Sequence, residues 1–161
     1  MVCAGLVPAA TSCASTRIHP DAGGRVFATV VHAVDGDTVT VRLGGRSETV
    51  RLLGVNTPES VHPTKPVECF GPEASAHTKQ LLPPGTRVWL ERDEEARDRY
   101  GRLLAYVHRA VDDVFVNLEL VSDGWAVPYP FEPNTTYRQV FADAATAAQQ
   151  AGLGLWSGCR G

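Results

Sequence analysis

The sequence predicts an α+β domain, a small five-stranded β-barrel with about three helices packed on it. Three observations lead there. Five runs are rich in β-branched residues and separated by Gly- or Pro-bearing turns. Their order is three strands, a helix, two strands, then helices. The chain of 161 residues is 43% hydrophobic and 20% charged, the balance of one globular domain rather than a disordered chain. No apolar run reaches the ~18 residues of a membrane span.

The elements are taken in order. Val26 to Val34 reads as the first strand, and Asp35-Gly36 turns the chain. Thr38 to Leu43 alternates as a second strand, Gly44-Gly45 turns again, and Glu48 to Leu53 makes the third, giving an antiparallel meander. Asn56-Thr57-Pro58-Glu59 ends it, and a loop runs from Ser60 to Phe70. Gly71-Pro72-Glu73 opens a helix through Leu82: proline suits the first helical position and Glu73 the positive end of the dipole. Pro83-Pro84-Gly85 stops it. Arg87 to Glu91 is the fourth strand, the charged run Arg92 to Arg99 a solvated loop, and Leu103 to His108 the fifth strand. Val116 to Ser122 is a short helix, and Asn134 to Ala151 a last one with Tyr137, Val140, Phe141, Ala144 and Ala148 on one face. This is the OB-fold pattern, whose mouths commonly hold nucleotides or sugars.

Residues 1–25 stand apart as a leader and linker before the domain of residues 26–161. Met1 to Thr16 is small, apolar and uncharged. It is similar to the end of a secretory signal, and Ala9-Ala10-Thr11-Ser12-Cys13 to a lipoprotein cleavage box, although a basic start and a long apolar stretch are missing. A disordered tail is the other reading. Of four cysteines, Cys3 and Cys13 fall in this leader, and no pair has zinc or CxxC spacing. Cys69 and Cys159 remain, a disulfide if the protein is exported and two buried thiols otherwise.

The net charge of −3 argues against strong non-specific duplex binding but not against a local grip on one or two phosphates. Thirteen of the fifteen basic residues are arginine, whose planar fork matches phosphate oxygens. A GC-rich genome would produce the same bias.

Three motifs carry chemistry. Asp35-Gly36-Asp37-Thr38 sets two carboxylates beside a tight turn, able to hold a hard cation through oxygen, although Asp-Gly is also a common hairpin turn. Arg51 through Glu59 puts a cation on a strand and an amide, a carbonyl and a carboxylate just past it. Asp98-Arg99-Tyr100-Gly101-Arg102 is a charged turn entering a strand, from which Arg102 could reach the same place. A general base beside a cation could activate water.

Taken together, in this order and spacing, the motifs resemble the staphylococcal nuclease (thermonuclease) family. The likeness runs from about Val26 to Ser157 and includes Gly71-Pro72-Glu73-Ala74-Ser75, Val116-Asn117-Leu118, Pro133-Asn134-Thr135 and Leu155-Trp156-Ser157. The resemblance implies a calcium-dependent phosphodiesterase that cuts DNA and RNA at the 5′ P–O bond and leaves 3′-phosphates. It implies Asp37 as the main calcium carboxylate, with Thr57 giving its carbonyl and Asn56 a further oxygen. Glu59 would orient or deprotonate the attacking water, Arg51 and Arg102 would grip the scissile phosphate, and Tyr100 and Tyr129 would pack the nucleotide. A monomer without a stable protein partner is expected, and the signal-like N-terminus points to a secreted or cell-envelope protein, of a lipoprotein type or with its signal truncated, from a bacterium.

The sequence departs from the family's pattern in places. Asn56 stands where a second calcium aspartate is usual, which removes a charge while keeping an oxygen. Phe131 replaces a frequent tyrosine, and Lys65 is the only base in the loop Ser60 to Glu68. Related domains that serve only as binding modules usually lack the arginine pair or the glutamate, all three of which are present here.

Overall fold

The computed structural model describes residues 25–61, 64 and 66–159. The leader and linker up to residue 24, and Lys65, lie outside them. Among the described residues, seven strands and four helices succeed one another in chain order: β1 (Val26–Ala33), β2 (Thr38–Leu43), β3 (Arg46–Leu52), β4 (Gly54–Asn56), α1 (Gly71–Leu81), β5 (Arg87–Glu91), β6 (Leu103–Arg109), α2 (Val116–Ser122), β7 (Val127–Tyr129), α3 (Arg138–Ala151) and α4 (Leu155–Gly158).

Five strands close a barrel in the order β1-β2-β3-β6-β5, with β5 returning to β1. All neighbours are antiparallel except β3 and β6, which run parallel with Val50 beside Leu103 and Leu52 beside Ala105. That parallel pair brings Arg51, on β3, close to Arg102 at the entry to β6. The alternating residues Val39, Val41, Val50, Leu52, Val88, Ala105 and Val107 share one face of the barrel sheet and are buried, as the period of a strand requires. The outer layer is held by α2, whose Asn117 is fully buried and bridges the barrel: its Oδ1 accepts the Val107 N–H at 2.9 Å and its Nδ2 donates to the Leu53 carbonyl at 2.8 Å.

Four expectations are corrected. The third strand begins at Arg46 and breaks after Leu52, because Gly54 takes φ +74° and the chain resumes as β4, paired with β7. The last helix starts at Arg138, not Asn134. Asn134 is instead buried in a turn where its Oδ1 accepts the Glu95 N–H at 2.7 Å, which holds the preceding chain out of helical geometry. Val140 is 43% exposed, whereas Phe141 and Ala148 are buried as expected, Ala145 joins them, and Tyr137 and Ala144 pack partly buried against the core. The charged run 92–99 is tied down rather than merely solvated: Asp93 accepts the Tyr106 hydroxyl and the Thr136 N–H, and Arg97 makes a two-pronged pair with Glu48.

Candidate active site

Two turns and two strands build the site. The register of β2 on β3 sets Thr38 opposite Arg51, and the Leu52 N–H donates to the Asp37 carbonyl at 2.9 Å. The Asp35-Gly36-Asp37 turn lies against Thr57. A Cβ on Gly36 would sit 2.6 Å from Thr57 Oγ1, so the two loops meet this closely only with glycine there. From below, Thr78 of α1 donates its hydroxyl to the Gly36 carbonyl at 2.7 Å.

Asp37 is the buried centre. Its Oδ2 accepts the Thr57 N–H at 3.0 Å and the Thr57 hydroxyl at 3.2 Å, and lies 3.1 Å from Arg51 Nη2. Asp35 accepts the Asp37 N–H at 3.0 Å. Burial, and then the neighbouring charge of Asp37, raise the Asp35 carboxyl above the ordinary carboxylate value. Arg51 also donates to the Leu52 and Val55 carbonyls, at 2.6 and 2.8 Å, and to Asn56 Oδ1 at 3.2 Å. Both of its Nη nitrogens are therefore engaged inside the protein.

Glu59 lines the same cavity of about 140 Å³ as Asp35, Asp37, Asn56, Thr57, Arg51 and Arg102. Its Oε1 accepts the Ser60 and Val61 N–H groups at 2.9 and 3.0 Å. Arg102 donates through Nε to Asp98 Oδ2 at 2.7 Å, and Asp98 Oδ1 accepts the Arg102 N–H. Burial works to raise the Asp98 carboxyl, but the bonds from Arg102 and Tyr100 outweigh it and leave it below the usual range. An adjoining cleft of about 650 Å³ shares Arg51, Asn56 and Arg102 with the first cavity and continues to Arg99, Tyr100, Tyr129 and Phe131. Tyr100 is 69% and Tyr129 51% exposed. The Arg99 and Arg102 guanidiniums lie 4.8 and 5.6 Å from the centre of the Tyr100 ring.

The structure thus brings Arg51, Glu59, Arg102, Asp37, Asn56 and Thr57 around one cavity, with Tyr100 and Tyr129 in the cleft beside it. Cys69 and Cys159 line neither the cavity nor the cleft and are paired, their Cα atoms 5.9 Å apart. The donors that face the cavity offer oxygen and no sulfur or imidazole, which suits a hard cation. The charge stress on Asp35 is what such a cation would relieve. Among the described residues, no group of three or more His, Cys, Asp and Glu side chains forms a metal cluster, so amide and carbonyl oxygens would have to complete the set.

Three contributors carried no assigned role in the sequence. Asp98 fixes Arg102, and the i,i+4 charge spacing was the available clue. Arg99 joins the cleft, adjacent to a tyrosine already singled out. Thr78 supports the turn from a helix 42 residues away, and nothing local marks it.

Residues 49–158 match the family described as staphylococcal nuclease homologues. The chain is 42% identical over 127 residues to the thermonuclease of Staphylococcus intermedius, covering 79% of this chain and 74% of that one. It is 38% identical to the thermonuclease of Staphylococcus hyicus, covering 80% and 74%. Against endonuclease YncB of Bacillus subtilis it is 42% identical over 134 residues, covering 82% of this chain and 62% of that one.

Proposed function

The chain belongs to the staphylococcal nuclease family and is a nuclease, and on that basis we propose that it is a calcium-dependent phosphodiesterase that cuts DNA and RNA at the 5′ P–O bond to leave 3′-phosphates. The observation that carries the proposal is the junction of an acid-lined cavity with an arginine- and tyrosine-lined cleft through shared Arg51, Asn56 and Arg102.

In-line attack on a phosphodiester gathers negative charge on the equatorial oxygens, and groups already aimed at that charge favour the transition state over the ground state. Arg102, with Nε held by Asp98, presents the rest of its guanidinium. Arg51 is fixed through Nη1 by two carbonyls and reaches phosphate through Nη2 by exchanging its Asp37 or Asn56 partner. Glu59 is placed to accept the proton of the attacking water. Asp37, Asn56 and the Thr57 carbonyl would hold calcium, with Asp35 behind them. The ion supplies charge stabilisation and lowers the pKa of water when bound. Tyr100 and Tyr129 offer stacking faces, which reward bases of any identity by ~1–3 kcal/mol each.

The same reading takes Cys69–Cys159 as a disulfide formed on export and the protein as a secreted or envelope-bound monomer. Among the described residues no helix is long and apolar enough to cross a membrane.

The test is digestion of plasmid, single-stranded DNA and RNA with calcium, magnesium and chelator side by side, alongside Arg51→Ala, Glu59→Ala and Arg102→Ala. Each variant should lose kcat by about 10²-fold or more while folded. A folded Arg102→Ala protein with full activity would falsify the assignment. Nucleic acid binding without cleavage under every metal condition would mark a binding module instead.

A further inference from the structure

We propose that Glu68 and the Cys69–Cys159 link position Glu59 for catalysis, so that turnover depends on the oxidised state of that cysteine pair. The inference rests on the catalytic reading of Glu59.

Glu59 is clasped at its backbone by one residue. The Glu68 N–H donates to the Glu59 carbonyl at 2.8 Å, and the Glu59 N–H donates to Glu68 Oε2 at 2.9 Å. Gly71 closes the clasp from the other side: a Cβ there would lie 2.3 Å from the Glu59 carbonyl oxygen. Glu68 is itself exposed, and toward the C-terminus its carbonyl accepts the Gly71 N–H at 3.0 Å. The next residue, Cys69, is bonded to Cys159 at the end of α4. The one after, Phe70, stacks on Trp125 with ring centres 5.1 Å apart, and Gly158 of α4 packs so close to the Phe70 ring that a Cβ would fall within 2.9 Å.

The anchor is firm at its far end. The Leu155 N–H of α4 donates to the Gly124 carbonyl, and Gly124 and Gly154 pass at a separation that admits no side chain on either. The link therefore runs from the α2–β7 turn through α4, Cys159, Cys69 and Glu68 to Glu59. Cys69 is exposed, so a reductant can reach the bridge. A dithiol delivers two electrons and two protons. One thiolate attacks a bridge sulfur and breaks the S–S bond, the second thiol resolves the mixed disulfide, and two cysteine thiols remain beside the reductant's own disulfide. Glu68 then keeps the Gly71 N–H on its carbonyl and the Phe70 stacking beside it, but loses the covalent tie to α4, and Glu59 is held less firmly in place. A small displacement of a catalytic group is enough to cost a large factor in rate.

The experiment uses the whole chain, oxidised and after dithiothreitol, with peptide mapping of Cys69 and Cys159 and circular dichroism well below the melting temperature. Initial rates on a single-stranded oligonucleotide should show kcat falling about tenfold or more on reduction, with KM nearly unchanged, and likewise in the Cys69→Ser/Cys159→Ser protein. Glu68→Ala should reproduce the loss, and Glu68→Gln, which keeps an acceptor for the Glu59 N–H, should restore most of it. In Glu59→Gln the residual rate should be the same in both redox states, which a merely structural bridge does not predict. The proposal is overturned by unpaired Cys69 and Cys159 in the oxidised protein, by an unchanged kcat once the bridge is shown to be broken, or by a Glu59→Gln residual rate that falls with reduction as the wild type does. An oxidised Glu59→Gln protein at full rate overturns the catalytic reading of Glu59 itself, and so tells that failure apart from failure of the clasp alone.

Discussion

Asn56 and Asp35 decide the electrostatics of the site between them. Asn56 offers a neutral oxygen already shared with Arg51. Calcium affinity follows the number of charged ligands. Asn56→Asp is expected to tighten calcium binding by about tenfold, ~1.4 kcal/mol, with little change in rate at saturation. Calorimetry and initial rates across a calcium titration check this, and superimposed curves for the two proteins would count against it. Asp35 behaves in the opposite sense to a carboxylate stabilised by its partners. Its folded value is raised above the ordinary 3.8, so between 3.8 and that raised value the native chain binds more protons than the unfolded one. Stability falls as pH rises through that window, and the ionised carboxylate is a liability above it. In chelator, Asp35→Asn should therefore be more stable than the wild type at about pH 7 and no more stable at about pH 3.5, below the unfolded value. Urea unfolding at both pH values tests the sign, and an equal gain at both would show that charge is not the cause.

At the scale of elements, the barrel is joined to its helices by single buried polar side chains. Asn117 satisfies one N–H of β6 and the Leu53 carbonyl that would otherwise be stranded where β3 gives way to β4. Asn117→Ala leaves both backbone groups buried without partners, each at a cost of about 1–3 kcal/mol, so a loss of roughly 2–6 kcal/mol is expected. Denaturant unfolding measures it, and a loss below about 1 kcal/mol would mean that water replaces the amide. The Val116-Asn117-Leu118 motif that supports the resemblance thus has a structural reason. Thr78 and Gly36 form a second joint of this type, one that carries α1 to the acidic turn.

For the whole molecule, the charge balance and the architecture agree. The net charge is −3, and the cations that face the cleft and cavity are Arg51, Arg99 and Arg102. Binding of a single-stranded oligonucleotide in chelator should then depend weakly on salt, with a slope of log K on log salt of about −2 for three phosphate contacts. Fluorescence anisotropy at several salt concentrations gives the slope, and a value steeper than about −4 would mean that cations outside the cleft take part.

By itself the sequence determined what depends on near neighbours. Alternation of apolar residues marks the five barrel strands, because burying one face of a strand needs only a period of two. Gly71-Pro72-Glu73 marks the start of α1 within its own residues. Asp37, Arg51, Glu59 and Arg102 were singled out because the order and spacing of their motifs together resemble one family, and the fold gathers all four around one cavity. Tertiary structure decided the rest, and in each case the partner lies far along the chain. β4 is three residues long and exists as a strand only because β7, 73 residues on, pairs with it from Gly54↔Tyr129 to Asn56↔Val127. Asn134 leaves the helix because Glu95 needs its oxygen. Val140 faces solvent and Ala145 the core because Phe141 must fill the space over Gly54, where even a Cβ would be 2.2 Å from its ring. Glu68 reaches Glu59 by closing a loop whose own residues carry no pattern. Hydrogen bonds and packing between distant segments leave no periodicity in the sequence, since what selects each residue is a neighbour that only folding supplies.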